Sequence, residues 1–313
     1  MIRRVACRPD SRTKGAAVFN HLTRRNLLSR GIVVAAGALT GGLAAGARLA
    51  AAAEAAAPEK PRMHLGTVTY MLGAKMDLAT LIDVCEKGGM EGVELRTSHA
   101  HGVEPSLDAQ GRAKVKALFA KTQVRLVALG SVCEFHSPDA ATVKKNIETC
   151  GKFVDLAADV GAWGVKVRPN GLVKDVPEDK TLRQIGEAVR ECGEYAKAKG
   201  IAIVVEIHGG GTADPARMAK VMEYCKHPQV GLCWNSNPSD VKNGSIRENF
   251  DLCKAWIRHA HVTNLGGNYP WAELFTLLKG INYSGYTMLE TDCKGDVVEF
   301  LRDRRAAWER LAT

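Results

Sequence analysis

A carboxylate and an imidazole stand two residues apart at the end of an apolar run. Residues 201–211, Ile-Ala-Ile-Val-Val-Glu-Ile-His-Gly-Gly-Gly, begin like a β-strand that is buried on both faces. Side chains two apart on a strand share a face, so Glu206 and His208 point the same way, opposite Val205 and Ile207. Such groups do acid–base chemistry or bind a metal ion. On one strand alone, a buried Glu neutralised by a neighbouring Arg is the simpler interpretation.

Four further apolar runs become polar with the same parity. The residues that share the inward face are Lys166 and Arg168, then Cys233 and Asn235, then His259, His261 and Thr263, and finally Glu290 and Asp292. Five histidines also lie at or just past the ends of such runs, namely His99, His101, His136, His208 and His261. Parallel barrel enzymes keep their sites at the carboxyl ends of the strands. Five strands with one parity therefore favour a functional site.

Two carboxylates, an imidazole and an amide oxygen at one end of a barrel make a mixed oxygen and nitrogen site. Such a site suits one divalent ion, Mn²⁺, Mg²⁺, Co²⁺ or Zn²⁺, and it lacks the thiolates of a structural zinc site. Without an ion, Glu206 and Glu290 would repel each other in a pocket of low dielectric, and one would stay protonated. A divalent cation removes that conflict.

Eight apolar runs alternate with amphipathic stretches from residue 62 onward. The predicted strands are His64–Tyr70, Gly92–Thr97, Val124–Gly130, Trp163–Arg168, Ile201–His208, Val230–Asn235, Arg258–Thr263 and Tyr286–Asp292. The clearest predicted helices are Leu78–Lys87, Val143–Asp159, Leu182–Lys199 and Val297–Leu311. The pattern predicts an α/β protein with a closed (β/α)8 TIM barrel, and an open doubly wound sheet is the alternative.

The first 53 residues have the pattern of a twin-arginine export signal. Arg24 and Arg25 precede an apolar run, 31–47, and small residues that suit cleavage at Ala51-Ala52-Ala53. The run is too short and weakly apolar for a comfortable membrane span. We therefore expect a signal peptide (1–53), a short linker (54–62), one barrel domain (63–313), a periplasmic or otherwise extracytoplasmic location and no stable membrane insertion after cleavage. A disordered basic leader or an uncleaved anchor are the alternatives.

The basic character of the chain belongs to this leader. The formal net charge is +9 for the whole chain and falls to +1 without residues 1–53. A nearly neutral domain gives no reason to expect nucleic acid or an anionic membrane as partner. We expect a small-molecule partner, and a homo-oligomer stays possible. Eight cysteines remain without a C-x-x-C pair, and we expect mostly free thiols because the twin-arginine route exports proteins folded in the cytosol.

From residue 62 to 311 the chain resembles the sugar phosphate isomerase/epimerase group of xylose-isomerase-like barrels. The segments that carry the resemblance are Gly92-Val-Glu-Leu-Arg96, Val205-Glu-Ile-His208, Gly231-Leu-Cys-Trp-Asn-Ser-Asn237, His259-Ala-His-Val262 and Met288-Leu-Glu290. In that family one metal ion is held by Glu, Asp, His and Glu on strands five to eight. These positions fall on Glu206, Asn235, His261 and Glu290. The resemblance also implies that Glu206 and Glu290 are the catalytic pair that moves a proton next to a substrate carbonyl.

Two positions depart from the family pattern. Asn235 stands where Asp is usual, so the site loses one negative charge and some metal affinity. Pro238 stands where epimerases of this group often carry a substrate-binding His, which puts strict epimerisation in doubt. His208 is then the candidate for that polar role.

Further candidates for substrate binding surround this set. Lys166, Arg168 and Arg96 can hold substrate oxygens, and the alternative is an interior ion network with Glu94. His99 and His101 lie on a loop and can contact sugar hydroxyls or a second metal ion, unless the loop is simply exposed. Tyr70 can stack on a sugar ring.

These inferences favour a metal-dependent isomerase or epimerase that removes a proton α to a carbonyl. Export favours an unphosphorylated sugar, a keto-sugar or a glycoside as substrate. Elimination by the same proton abstraction would make the protein a lyase or hydratase of 3-keto-glycosides. A non-catalytic carbohydrate-binding barrel, with Asn235 as the sign of a decayed metal site, is the alternative of another class.

Overall fold

Residues 62–313 are described by the structure, a computed structural model, and they contain a closed barrel of eight parallel strands. The strands are β1 (His64–Val68), β2 (Gly92–Arg96), β3 (Arg125–Gly130), β4 (Gly164–Val167), β5 (Ala202–Glu206), β6 (Val230–Asn235), β7 (Ile257–Val262) and β8 (Tyr286–Leu289). They follow one another around the barrel in chain order, and β8 pairs with β1. The predicted (β/α)8 barrel is confirmed, and the alternative of an open sheet is wrong.

Seven α-helices connect these strands within the described residues, and an eighth follows β8. They are α1 (Leu78–Lys87), α2 (Ala109–Phe119), α3 (Ala140–Val160), α4 (Glu178–Lys199), α5 (Pro215–Cys225), α6 (Arg247–Cys253), α7 (Trp271–Gly280) and α8 (Val297–Ala312). Aspartates at positions 77, 108, 139, 214 and 296 accept backbone N–H groups at the starts of five of them. These side chains satisfy donors that have no partner inside the helix. Capping by Asp139 explains why α3 starts before the predicted Val143.

The predicted leader, 1–53, and all but the last residue of the predicted linker, 54–62, lie outside the described residues. Within residues 62–313, no helix is long and apolar enough to cross a membrane. The eight cysteines of this part are free thiols, and seven of them are buried.

Apolar side chains fill part of the barrel interior. Val68, Val127, Ala128 and Met288 form a buried cluster there, with Tyr286 packed against it. A Cβ atom at Gly66 would lie 2.6 Å from the sulfur of Met288, so the glycine makes room for this side chain. This cluster borders the polar groups of the barrel, because Val68 and Ala128 pair with Glu94 and Met288 pairs with His261 across the strand ladders.

Several predicted strands extend beyond the observed ones. Tyr70, Arg168, His208 and Glu290 lie just past the ends of β1, β4, β5 and β8. The pairing register also shifts at Val93/Glu94 between β2 and β3 and at Leu232/Cys233 between β6 and β7. Bulges of this kind re-aim side chains, and both lie beside the polar upper layer.

Candidate active site

Five ionisable side chains are buried side by side inside the barrel. They are Glu94 on β2, Lys166 on β4, Glu206 on β5, and His259 and His261 on β7. We call this set the inner layer. Each points inward because strand side chains alternate between the two faces. Charges at this depth are costly unless they are paired, so their contacts carry the description of the site.

Lys166 and Glu206 form a buried ion pair. The Lys166 Nζ atom lies 2.7 Å from Oε2 of Glu206. Burial alone would raise the pKa of Glu206, but the Lys166 charge and a contact with His261 outweigh it and hold the pKa below its usual value. Burial opposes the charge of Lys166 as well, yet the carboxylates of Glu206, Glu94 and Glu290 raise its pKa. Both groups are therefore charged at neutral pH.

His261 stands between the two predicted catalytic carboxylates. Its Nδ1 atom lies 3.4 Å from Oε1 of Glu206 and 3.4 Å from Oε2 of Glu290. Nδ1 is buried and has no hydrogen-bond partner among the described residues. Burial would lower the pKa of His261, but Cys233 and the carboxylates of Glu94 and Glu290 raise it well above the usual value. The protein alone thus places a proton where the three side chains converge.

Asn235 completes the set that the resemblance predicts. Its side chain is buried, and its Nδ2 atom lies 3.5 Å from Oε1 of Glu206. The position pairs with His261 across the ladder between β6 and β7. The structure therefore brings Glu206, Asn235, His261 and Glu290 together at one point, and their role as ligands stays a prediction.

The donors at this point fit a divalent cation. Glu206, His261 and Glu290 offer ligand atoms within 4.8 Å of one another. Three carboxylates, those of Glu94, Glu206 and Glu290, face only one permanent cation, Lys166. With neutral imidazoles the set carries two negative charges, which one divalent ion would balance. Oxygen and imidazole nitrogen donors suit Mn²⁺, Mg²⁺, Co²⁺ and Zn²⁺ alike.

A second group of possible ligands lies deeper, formed by Cys233, His259 and His261. Burial raises the pKa of the Cys233 thiol to about 11, so the thiolate that a metal needs is disfavoured there. The Nε2 atoms of both histidines already contact Glu94, at 2.9 and 3.1 Å. The upper set is therefore the better metal site.

The wall above β3 to β5 is braced by hydrogen bonds. Arg168 pairs with Glu134 at 2.9 Å, and Asn170 donates to the same Glu134 oxygen at 2.7 Å. His208 contacts Asn170 Oδ1 through Nδ1 at 3.1 Å. A short parallel ladder between Asn170–Gly171 and Gly209–Gly210 holds the two loops together. Arg168 and Glu134 are partly exposed here, so this wall can meet a ligand above the inner layer.

Arg96 ends β2, His99 lies in the loop after β2, and Tyr70 lies in the loop after β1. The Arg96 guanidinium stands 5.8 Å from the centre of the exposed Tyr70 ring and donates to the Thr97 carbonyl at 2.9 Å. His99 Nδ1 contacts the Thr69 hydroxyl at 2.9 Å. Burial and the nearby Arg96 charge lower the pKa of His99, so its ring is neutral. These three side chains remain candidates for substrate contact.

His101 requires a correction. Its ring is buried, its Nδ1 accepts the Val103 N–H at 3.0 Å, and its Nε2 donates to the Arg96 carbonyl at 2.8 Å. Both nitrogens are thus used to hold the loop after β2. In this arrangement neither nitrogen of His101 is free for the predicted contact with substrate or metal. Lys166 forms its direct ion pair with Glu206, whereas the ion network expected from the sequence placed it with Glu94.

Glu94 and His259 are buried residues of the site that the sequence alone did not single out as functional. Both have inward parity, and a Glu within the apolar run Gly92-Val-Glu-Leu-Arg96 is a signal of a buried charge. Glu134 and Asn170 had no comparable signal, because they lie in loops whose course is set by packing. The loops after four strands also contain non-glycine residues in left-handed conformation, at Met71, Ser98, Asn170 and Leu265. Strained residues of this kind cluster at functional sites.

The fold and this constellation define a barrel with a polar upper site, and a family comparison agrees with them. Residues 82–312 match the family described as xylose isomerase-like TIM barrel. The chain belongs to this family. A comparison with curated proteins gives no match.

Solved structures with the same fold include several sugar epimerases. The 3-keto-D-glucoside 4-epimerase YcjR from E. coli has a TM-score of 0.66 at 15% identity, over 80% of this chain and 99% of its own. D-psicose 3-epimerase from Clostridium cellulolyticum H10, solved with D-tagatose, has a TM-score of 0.66 at 17% identity, over 79% of this chain and 98% of its own. The IolI protein with a zinc atom has a TM-score of 0.68 at 15% identity, over 80% and 98% of the two chains. At these identities the similarity shows the shared fold.

Proposed function

We propose that the protein is a metal-dependent sugar isomerase or epimerase that removes and returns a proton next to a carbonyl group. The observation that carries the proposal is the position of His261 Nδ1, which lies 3.4 Å from a carboxylate oxygen of Glu206 and 3.4 Å from one of Glu290. Two carboxylates around one point can accept a proton from a substrate, and the carboxylate that has taken up a proton can then donate it. The epimerases among the structural neighbours support the same reaction class.

The two glutamates have different surroundings, and the proposal assigns them different tasks. The side chain of Glu290 is 19% exposed and faces the opening of the barrel. Glu206 is buried and held by Lys166 at 2.7 Å. Glu290 is therefore the group that takes the proton from the substrate, and, once protonated, it can return this proton to the neighbouring carbon. Return of a proton on the other side requires that Glu206 first takes one up from a substrate hydroxyl group or from water. The Lys166 ammonium group stabilises negative charge that develops at this end of the site.

One divalent cation belongs to the proposal, held by Glu206, Asn235, His261 and Glu290. When bound, such an ion polarises a carbonyl oxygen and so makes the neighbouring C–H group more acidic. The charge balance of the site and the imidazole nitrogen without a partner support this part. Binding the ion would displace the proton from His261 Nδ1, so affinity should fall in acid.

The substrate that we propose is an unphosphorylated sugar or keto-glycoside outside the cytoplasm. The wall of Arg168, Glu134, Asn170 and His208 offers a cation, a carboxylate, an amide and an imidazole, which together suit sugar hydroxyl groups. YcjR, a structural neighbour, is an epimerase of a 3-keto-D-glucoside. The twin-arginine pattern at Arg24 and Arg25 supports export.

The experiment combines metal analysis with a product assay. The protein is stripped with a chelator, titrated with Mn²⁺, Co²⁺, Mg²⁺ and Zn²⁺, and incubated with ketohexoses and 3-keto-glucosides. We expect one ion per chain and a product that keeps the mass of the substrate. Glu290→Gln should then lose turnover by about 10³-fold or more while it keeps its melting temperature, because it removes a proton carrier. Glu187→Gln, an exposed change on α4, is the matched control and should stay active.

Other outcomes would contradict the proposal in distinct ways. Loss of the aglycone from a keto-glycoside would identify a lyase with the same proton abstraction. Carbohydrate binding without bound metal and without turnover would identify a binding barrel. A Glu290→Gln protein with normal turnover would place the acid–base pair elsewhere.

Export has its own test. Arg24→Lys combined with Arg25→Lys should leave the chain in the cytosol, because the receptor reads both guanidinium groups. Cell fractionation measures this, and normal export of the double variant would contradict the twin-arginine assignment.

A further inference from the structure

Glu94 is a fully buried carboxylate that contacts two histidines through a single oxygen. Its Oε2 atom lies 2.9 Å from Nε2 of His259 and 3.1 Å from Nε2 of His261. The side chains of all three residues are at most 1% exposed. Oε1 of Glu94 has no hydrogen-bond partner within residues 62–313. The chain therefore buries this acid with only half of its hydrogen-bonding capacity used.

A buried carboxylate with an unpaired oxygen lowers the stability of the folded protein, so its presence calls for a functional reason. An isolated buried carboxylate costs several kcal/mol of stability, and a well-packed apolar side chain of similar size is often at least as stable. Room is also made for the unpaired oxygen, because a Cβ atom at Gly130 would lie 2.8 Å from Glu94 Oε1. Core packing alone gives no reason for an acid at this position.

The geometry of His261 supplies the reason. An ionised carboxylate only accepts hydrogen bonds, so an imidazole nitrogen in contact with it must carry the proton. The contact with Glu94 engages Nε2, and the other nitrogen, Nδ1, faces Glu206 and Glu290. A ring that holds its proton on Nε2 presents a lone pair on Nδ1 as soon as a cation replaces the second proton. Carboxylates behind ligand histidines do this in many metal sites.

His259 keeps Glu94 from turning away. His259 donates to the same oxygen from a position two residues before His261 on β7. The centres of the two rings lie 5.4 Å apart in an edge contact. The register shift between Val93 and Glu94 lies at the same height and fixes where the carboxylate emerges from β2. The position of His259 on β7 and the register of β2 against β3 thus both determine the hydrogen bond between Glu94 and His261.

We propose that Glu94 is a positioning residue, which holds the proton of His261 on Nε2 and so aims Nδ1 at the cation of the proposed function. This inference rests on that proposed function, since it presumes that His261 binds the ion. It adds a residue on β2 to a site otherwise built from β5 to β8.

The first test measures metal affinity in Glu94→Gln. The amide keeps the shape of the side chain but cannot accept two N–H groups as well as a carboxylate does. We expect the dissociation constant for Mn²⁺ or Zn²⁺ to rise about 10- to 100-fold, followed by the shift of the melting temperature on titration into stripped protein. Glu91→Gln is the matched control, because Glu91 lies immediately before β2 and pairs with Arg62 and Arg305. It should bind the ion like the wild type.

The second test begins with the wild type, and that part does not depend on how the variant folds. Nitrogen-15 NMR of the Zn²⁺-loaded wild type should show His261 with a protonated Nε2 and a coordinated Nδ1. In Glu94→Gln the Nε2–H signal should broaden or vanish by exchange, while that of His259 weakens as well.

The outcomes separate the two proposals. A wild type that binds no ion would contradict the proposed function, and the role of Glu94 with it. A wild type that binds the ion while Glu94→Gln binds it equally well would contradict this inference alone. Coordination of His261 through Nε2 in the wild type would also overturn it, whatever the variant does.

Discussion

Buried carboxylates occur in two regions of this barrel, and their surroundings differ. In the inner layer, Glu206 is paired with the Lys166 ammonium at 2.7 Å, and its pKa stays below the usual value despite burial. Behind β6, Asp240 ends a short 3-10 helix, Pro238–Asp240, and is also fully buried. Its Oδ2 atom accepts the Tyr269 hydroxyl at 2.8 Å and the Asn237 N–H at 2.9 Å. These partners carry no charge, and burial raises the pKa of Asp240 to about 7.

The charge of the neighbouring groups, and not the depth of burial, decides whether a buried acid is ionised or protonated at neutral pH. Desolvation disfavours the charged form in both places, and only a cation nearby reverses the outcome. The inner layer therefore keeps ionised oxygens that can bind a metal ion or take up a proton from a substrate. Asp240 takes up its own proton near neutral pH and acts as part of the packing around Tyr269. Substitutions at residues of both regions test this difference.

The largest effect is expected from Lys166→Met, which removes the cation and keeps a side chain of similar size. Glu206 would then be buried without its partner, as Asp240 is. Removal of one member of a buried ion pair costs about 3–5 kcal/mol, so the free energy of unfolding at pH 7.5 should fall by that amount. Urea titration of metal-free protein measures it. Lys87→Met, in an exposed pair with Asp83, is the control and should cost less than about 1 kcal/mol.

A loss below 1 kcal/mol in Lys166→Met would mean that Glu206 does not depend on this pair. In that case the inner layer would resemble the Asp240 region, and the contrast between them would be wrong.

A smaller effect, which depends on pH, is expected at Asp240. Its pKa is about 7 in the folded protein and 3.8 is the ordinary value, so between these limits the folded protein binds more protons than the unfolded chain. Stability therefore falls as pH rises through this window and levels off above it. Asp240→Asn should remove the effect, because its amide keeps the oxygen that Tyr269 and Asn237 contact. The free energy of unfolding of the variant should gain on the wild type by at most about 1.4 kcal/mol per pH unit.

Denaturant titrations at pH 5, 6, 7 and 8 measure this gain. Asp251→Asn, in an exposed pair with Lys254, serves as control and should show no such trend. Equal stability differences between wild type and Asp240→Asn at all four pH values would contradict the raised pKa.

The smallest effect concerns Asn235→Asp, which adds a carboxylate beside Glu206 without a new cation. A divalent ion prefers an anionic oxygen, so its dissociation constant should fall about tenfold, which corresponds to about 1.4 kcal/mol. In metal-free protein the same charge is repelled by Glu206, and the melting temperature should drop. Melting curves with and without Mn²⁺ measure both changes, with the exposed Asn243→Asp as control. A variant that melts lower and gains nothing from Mn²⁺ would contradict the metal site.

Much of the site could be predicted from two general rules. Side chains alternate along a strand, and the carboxyl ends of parallel strands meet at one end of a barrel. Glu206, Asn235, His261 and Glu290 follow from these rules together with the family pattern, and the structure does bring them together. The loop positions were less predictable. His101 looked like a free ligand in the sequence, but the turn of its loop places Arg96 and Val103 against its two nitrogens.

By itself the sequence determined the eight β/α units, the inward parity of the polar residues and the leader-like first 53 residues, because periodicity and composition are properties of short segments. Only the tertiary structure decided which inward groups pair. Glu94 meets His259 and His261 across 165 and 167 residues of chain, and Lys166 reaches Glu206 across 40 residues. These choices depend on the closure of the barrel and on the register shifts beside Glu94 and Cys233. A shift of one residue in register turns a side chain to the other face, so no local pattern could have settled them.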